Sequence, residues 1–138
     1  MKLFVDTGAF LAIEDKADNH HRKALSFHRK ALKENYQLLT TDYILDETYT
    51  LIRRRAGHRF AVEFGEKIRG SRLIKVLPIT PTIIDIAWNI FKKYEDKDFS
   101  FTDCTSFVIM EQNKIKNAFA FDGHFIQYGF QIFPKLTV

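Results

Sequence analysis

Short apolar segments alternate with amphipathic ones along this chain, and that alternation limits the fold more than any other feature. Lys2 to Val5, Gln37 to Thr40, Leu73 to Leu77, Ala118 to Phe121 and Gln131 to Phe133 read as strands, brief and mostly apolar. Between them, Thr7 to Ile13, Asn19 to Glu34, Tyr43 to Ala56, Arg59 to Arg69, Pro81 to Tyr94 and Phe101 to Asn113 read as helices, with Asp122 to Gln127 as one helical turn. Asn19 to Glu34 sets Ala24, Phe27 and Ala31 on one stripe, with Leu25 and Leu32 beside it. Tyr43 to Ala56 turns Ile44, Thr48, Leu51 and Ile52 inward and stops at Gly57; the following helix stops at Gly70. Pro81 falls where a first helical turn tolerates proline. Strands separated by helices imply βαβ crossovers, which are right-handed, and a sheet covered on both faces. The predicted fold is α/β: a three-layer sandwich with a mainly parallel sheet of about five strands flanked by helices.

At 138 residues the chain is predicted to form a single domain, residues 1–138, large enough to bury a core without staples. Fourteen phenylalanines make an aromatic-rich core the expectation. Cys104 is the single cysteine, so neither an intrachain disulfide nor a multi-cysteine metal site is open to it. It reads as a small buried hydrophobe, its thiolate disfavoured by the neighbouring acid. Asp6 interrupts any leader-like apolar region, and no apolar run approaches the roughly 18 residues that span a bilayer. A cytoplasmic protein, with no membrane partner, is expected.

The topology also gathers acids. Ligands of an open parallel sheet bind at the carboxyl ends of its strands. Asp6 directly follows the first strand and Asp122 the fourth. A parallel fourth strand starts at the opposite rim, so the helix leading into it runs toward that rim and begins, with Asp103, at the carboxyl rim. The helix after the second strand starts at the carboxyl rim too, and Glu47 lies in its second turn, bordering the buried face. Each acid alone has a plain structural reading. Asp6 and Asp122 suit helix caps, Ser100 to Asp103 fits a capping box, and Glu47 suits a solvated helix face. Together, several carboxylates at one rim raise one another's pKa values unless a cation is present. Mg²⁺ takes one or two carboxylates directly and shares phosphate oxygens, and paired ions clamp the attacking and leaving oxygens of a phosphodiester.

Basic charge is concentrated elsewhere. Arg53 to Lys75 carries eight basic and two acidic residues, net +6 in a chain whose total is +4. Such a stretch suits either a polyanion or a solvated helix face. Arg53, Arg54 and Arg55 are the candidate contacts to a nucleic-acid strand, RNA if the resemblance that follows holds.

Four segments resemble the PIN-domain family, and within it the VapC-type toxin ribonucleases. Leu3-Phe4-Val5-Asp6-Thr7 is similar to its opening strand with an aspartate and a hydroxyl residue. Asp46-Glu47-Thr48 resembles its second acidic motif. Phe99-Ser100-Phe101-Thr102-Asp103-Cys104 resembles its third, the most specific of the four. Phe119 to Phe125 resembles the last, with Ala120 and Phe121 where the family usually carries a threonine. The motifs fall in order and spacing over nearly the whole chain. The resemblance implies a five-stranded parallel sheet, Mg²⁺- or Mn²⁺-dependent endoribonuclease activity, a homodimer and a cognate antitoxin. It implies that Asp6 and Asp103 are the main metal ligands. Glu47 would complete the site or orient the attacking water, and Asp122 would support a second metal or water. Thr7 and Ser100 would help through their hydroxyls. Which RNA is cut, and whether one ion or two are held, no motif says.

Two other readings use the same acids. In the aspartate-nucleophile phosphatases a second aspartate stands two residues after the first; here that place is Gly8. The other is a non-catalytic domain that keeps the fold and binds RNA or protein. His20, His21, His28, His58 and His124 show no metal spacing with cysteine and read as surface or cap residues. Ile84, Trp88 and Phe91 sit at helical spacing, as core or as a dimer interface.

Overall fold

The computed structural model describes residues 1–135. Among them the chain forms five strands and seven helices: β1 (Lys2–Val5), α1 (Thr7–Glu14), α2 (His21–Lys33), β2 (Gln37–Thr41), α3 (Asp42–Ala56), α4 (His58–Gly70), β3 (Ile74–Leu77), α5 (Pro81–Lys93), α6 (Phe101–Gln112), β4 (Asn117–Phe119), α7 (His124–Tyr128) and β5 (Gln131–Phe133). The strand order is β3-β2-β1-β4-β5, and every pairing is parallel. The α/β sandwich expected from the sequence is the one observed.

Strand order fixes the layers. From β1 the chain steps outward to β2 and β3, so right-handed crossovers put α1 to α4 on one face. It then returns past β1 to β4 and β5, stepping the other way, so α5 to α7 cover the opposite face. Helix packing agrees: α1 packs on α2 and α3, and α3 on α4, whereas α6 packs on α5 and α7. Alternate side chains of one strand supply the two layers. Phe4 meets Phe125 of α7, ring centroids 6.1 Å apart, while Val5 shares an apolar hollow with Phe10 of α1. The second layer is aromatic, as anticipated. Phe107 of α6 is fully buried and touches the rings of Phe99, Phe125, Tyr128 and Phe130.

Gly57 divides α3 from α4. Its φ of +100° is a conformation that L side chains rarely adopt, and it permits an abrupt change of direction between the two helices. Several element edges differ from those expected, two of them with consequences for the site, and one open alternative narrows. α2 begins at His21, not Asn19, because the Asp18 carboxylate accepts the His20 N–H at 2.8 Å and holds a turn there. β4 starts at Asn117 and ends at Phe119, so Asp122 lies in the turn beyond it instead of directly at its end. Trp88 and Phe91 are 51% and 41% exposed, hence outside the core. No helix among the described residues is long and apolar enough to cross a membrane.

Candidate active site at the carboxyl edge of the sheet

The order in which strands are added reverses between the parallel neighbours β1 and β4, and such a switch point opens a crevice beyond the carboxyl ends of the two strands. Asp6 stands at its centre. Its backbone N–H donates to the Phe119 carbonyl at 3.1 Å, which ties the end of β1 to the end of β4. It occupies the N-cap position of α1, yet its carboxylate accepts no capping hydrogen bond. The side chain is nonetheless almost fully buried, at 6% exposure. Burial pushes its pKa well above the usual carboxylate range, and the charges of Asp122, Asp103 and Glu47 push the same way. The other three acids predicted from the sequence therefore all act on Asp6. Capping does not account for Asp6.

Asp103 has two roles. It completes a capping box with Ser100: Ser100 Oγ accepts the Asp103 N–H at 3.0 Å, and Asp103 Oδ2 accepts the Ser100 N–H at 3.0 Å. Burial raises its pKa as well, opposed by the Ser100 N–H and by His124. The box fixes the rotamer that holds the carboxylate at the rim. Asp122 is exposed and accepts the His124 N–H at 3.0 Å, which shapes the turn after β4.

Glu47 is half-buried in α3. That helix is set by Thr41, whose hydroxyl accepts the Ile44 N–H at 3.1 Å, and by Asp42, which accepts the Ile79 N–H at 2.9 Å. Thr7 packs against the same helix. Its hydroxyl donates to the Ile44 carbonyl at 3.4 Å and sits 3.3 Å from the Thr48 hydroxyl. The support that Thr7 and Ser100 give is thus to the helices that carry the acids. Glu47 borders an open hollow of about 560 Å³, together with Tyr43, Asp46, Arg54, Phe101 and Thr102. A second hollow, apolar and about 220 Å³, lies beneath α1, α2 and α4 and includes none of the four acids.

The three arginines part company, because consecutive helical residues point about 100° apart. Arg54 faces the hollow beside Glu47. Arg53 faces the groove between α3 and α4. Arg55 reaches back to Asp15 and Asp18, its Nη1 3.6 and 3.4 Å from their carboxylates.

One site residue escaped the sequence reading. His124, expected at the surface or in a cap, puts Nδ1 2.8 Å from Asp103 Oδ2 and 3.9 Å from Asp122 Oδ1. Its position two residues after Asp122, in the turn off the same rim, was the available signal. The other histidines sit apart: His20 stacks on Phe121 with centroids 4.4 Å apart, and His21 Nδ1 lies 2.7 Å from the Ala12 carbonyl. Cys104 is fully buried, and burial pushes its thiol up to about 11.

The donor set fits a divalent cation. One atom each from Asp103, Asp122 and His124 lies within 4.8 Å of the others. Among the described residues no lysine or arginine pairs with any of the four acids. His124 Nδ1 is buried and lies 2.8 Å from Asp103 Oδ2, within ion-pair range.

Residues 3–131 match the model of the PIN domain. The chain belongs to the PIN-domain family. It is a PIN domain of the VapC type: it is 36% identical over 128 residues, covering 93% of this chain and 95% of the relative, to the 23S rRNA-specific endonuclease VapC20 of Mycobacterium tuberculosis. It is also 29% identical over 118 residues, 84% of this chain and 74% of the relative, to a VapC ribonuclease of Archaeoglobus fulgidus. In three dimensions it is similar to the crystal structure of Mycobacterium tuberculosis VapC20, described as a sarcin–ricin loop cleaving toxin. That match has a TM-score of 0.83, 34% identity, and coverage of 93% and 95% of the two chains. The FitAcB structure from Neisseria gonorrhoeae shares the fold, with a TM-score of 0.71 at 14% identity over 96% of each chain.

Proposed function

We propose that this PIN domain is a divalent-metal-dependent endoribonuclease, the toxin of a toxin–antitoxin pair, whose substrate is an exposed loop of large-subunit ribosomal RNA. The observation that carries the reading is Asp6, a buried carboxylate that feels the charge of three further acids, with no lysine or arginine among the described residues paired to any of them. A structural cap has no use for that arrangement; a bound cation does. Asp6 and Asp103 are assigned as the main ligands, with Glu47 and Asp122 completing the set around Mg²⁺ or Mn²⁺. The ion supplies positive charge to the scissile phosphate and acidity to the attacking water. Glu47 orients that water. Its oxygen would bond to phosphorus as the bond to the leaving ribose oxygen breaks; the water gives up one proton to bulk solvent, and the leaving oxygen takes one up from bulk solvent. The ribosomal substrate and the antitoxin rest on the likeness to VapC20, and the cytoplasmic location follows from that substrate.

The test uses three RNAs: a loop oligonucleotide of the sarcin–ricin type, a scrambled loop and an unrelated single strand. Cleavage confined to the first supports the ribosomal target. Equal cleavage of all three removes the target and leaves the nuclease. In cells, unpaired expression is expected to arrest growth, and Asp6→Asn to abolish the arrest.

Arg54 is assigned to the RNA backbone, since it alone of the three arginines lines the hollow beside Glu47. Arg54→Ala should weaken binding of different RNAs about equally and lower the slope of log K against log salt by about one. Arg55→Ala should leave that slope unchanged. Equal slope changes in both variants would mean that α3 presents its arginines as a diffuse patch.

A homodimer is assigned to α5. Trp88 and Phe91 stack there with centroids 5.8 Å apart, both partly exposed, next to Phe101. Exposed aromatic pairs of this kind anchor interfaces. Trp88→Glu is expected to weaken self-association on the order of thirtyfold or more by light scattering, with the melting curve of the monomer intact. An unchanged mass distribution would place the interface elsewhere.

A further inference from the structure

His124 is the one member of the rim cluster that the four-acid reading does not use. Its placement is over-determined. The backbone N–H donates to Asp122 Oδ1, and the ring packs edge-on against Phe99 with centroids 5.8 Å apart at 82°. This holds Nδ1, the buried ring nitrogen, between two carboxylates. Beyond these two carboxylates the nitrogen has no partner among the described residues. A buried ring nitrogen is ordinarily hydrogen-bonded. Here the acceptors within reach are two carboxylate oxygens, 2.8 and 3.9 Å away, set for a shared ion as well as for a proton.

We propose that His124 Nδ1 is a metal ligand, making the centre a mixed nitrogen–oxygen site that prefers Mn²⁺ to Mg²⁺. The proposal rests on the metal-dependent reading above and sharpens it. Two donors about 2.1 Å from an octahedral ion are about 3.0 Å apart when adjacent and about 4.2 Å apart when opposite. The separations of Nδ1 from Asp103 Oδ2 and Asp122 Oδ1, 2.8 and 3.9 Å, lie close to those spacings. Imidazole nitrogen is a poor match for hard Mg²⁺ and a better one for transition ions, whereas carboxylates serve both. A ring nitrogen added to the acids therefore changes which ion is held, beyond adding affinity. Coordination through Nδ1 requires the ring proton on Nε2.

The experiment is pulsed electron paramagnetic resonance of the full chain loaded with Mn²⁺, beside calorimetric titration with Mn²⁺ and Mg²⁺. Wild type is expected to show nitrogen hyperfine coupling from a directly bound imidazole, and His124→Gln to lose it. The same variant should lower the ratio of Mn²⁺ to Mg²⁺ affinity on the order of tenfold. The wild-type spectrum needs no variant, so a poorly folded His124→Gln protein does not block the test. Mn²⁺ bound without nitrogen coupling overturns the His124 assignment and leaves the carboxylate centre standing. Coupling that persists in His124→Gln also overturns it, since another nitrogen would be the ligand. Failure of the wild type to bind either ion removes both this inference and the metal-dependent function.

Discussion

Asp103→Asn should lower RNA cleavage on the order of a thousandfold while the protein stays folded. Asparagine keeps an oxygen where Oδ2 accepts the Ser100 N–H, so the capping box survives. Losing the negative charge near the start of α6 costs about 0.3–1 kcal/mol of dipole interaction. Against that, a carboxylate whose charged form is disfavoured by burial and by Asp122 has been neutralised. The net change in stability is small and of either sign. The chemical loss is of another order. A divalent ion contributes several kcal/mol to the transition state of phosphodiester cleavage, and about 4 kcal/mol corresponds to a factor of roughly a thousand. The comparison is of kcat/KM on one RNA at saturating Mn²⁺, with circular dichroism as the folding control. Activity within tenfold of wild type would reduce Asp103 to a helix cap.

Asp6→Asn should raise the melting temperature of the metal-free protein and abolish its response to metal. The sign follows from the raised pKa. Between the unfolded carboxylate value, about 4, and the higher folded value, the native state holds more protons than the unfolded chain. Stability therefore falls as pH rises through that window. The contribution is intact below the unfolded pKa and fully lost above the folded one. Asparagine does not titrate, so the advantage of the variant over wild type should grow from acid to neutral pH. Metal reverses the ranking. An ion at about ten times its dissociation constant stabilises wild type by roughly 1.4 kcal/mol, or roughly 4–6 °C for a chain this long. Melts at several pH values, with and without Mn²⁺ at fixed ionic strength, read both effects. A destabilised Asp6→Asn protein with an undiminished metal shift would make Asp6 a structural residue.

The sheet and three of its acids were legible because few local rules decide them. Short apolar runs between helices admit a parallel sheet, and right-handed crossovers then fix which ends share a rim. Asp6, Glu47 and Asp103 follow from where their helices start. Features that depend on direction within the fold were less legible. Arg53, Arg54 and Arg55 are one basic run in the sequence but face three parts of the surface. β4 is short and sets Asp122 farther along a turn than its apolar run implied, since Ala120 and Phe121 are apolar without pairing as strand. His124 was weighed by spacing to cysteine, whereas its partners are a neighbour in the turn and an acid 21 positions earlier, brought together only by packing α7 on α6. The resemblance singles out Thr7 for its hydroxyl; what the sequence does not show is that this hydroxyl donates to the Ile44 carbonyl of α3.

The central claim is that the acids at the β1–β4 switch point hold the ion with which this chain cuts RNA. The most direct test is cleavage of one end-labelled loop RNA by metal-stripped protein, with Mn²⁺ added, then chelated by EDTA, then restored in excess. The expected course is no product, product, arrest and resumption. The cut ends should carry a phosphate monoester, because water is the nucleophile. Cleavage that continues in EDTA, or ends bearing a 2′,3′-cyclic phosphate from attack by the ribose hydroxyl, would contradict it.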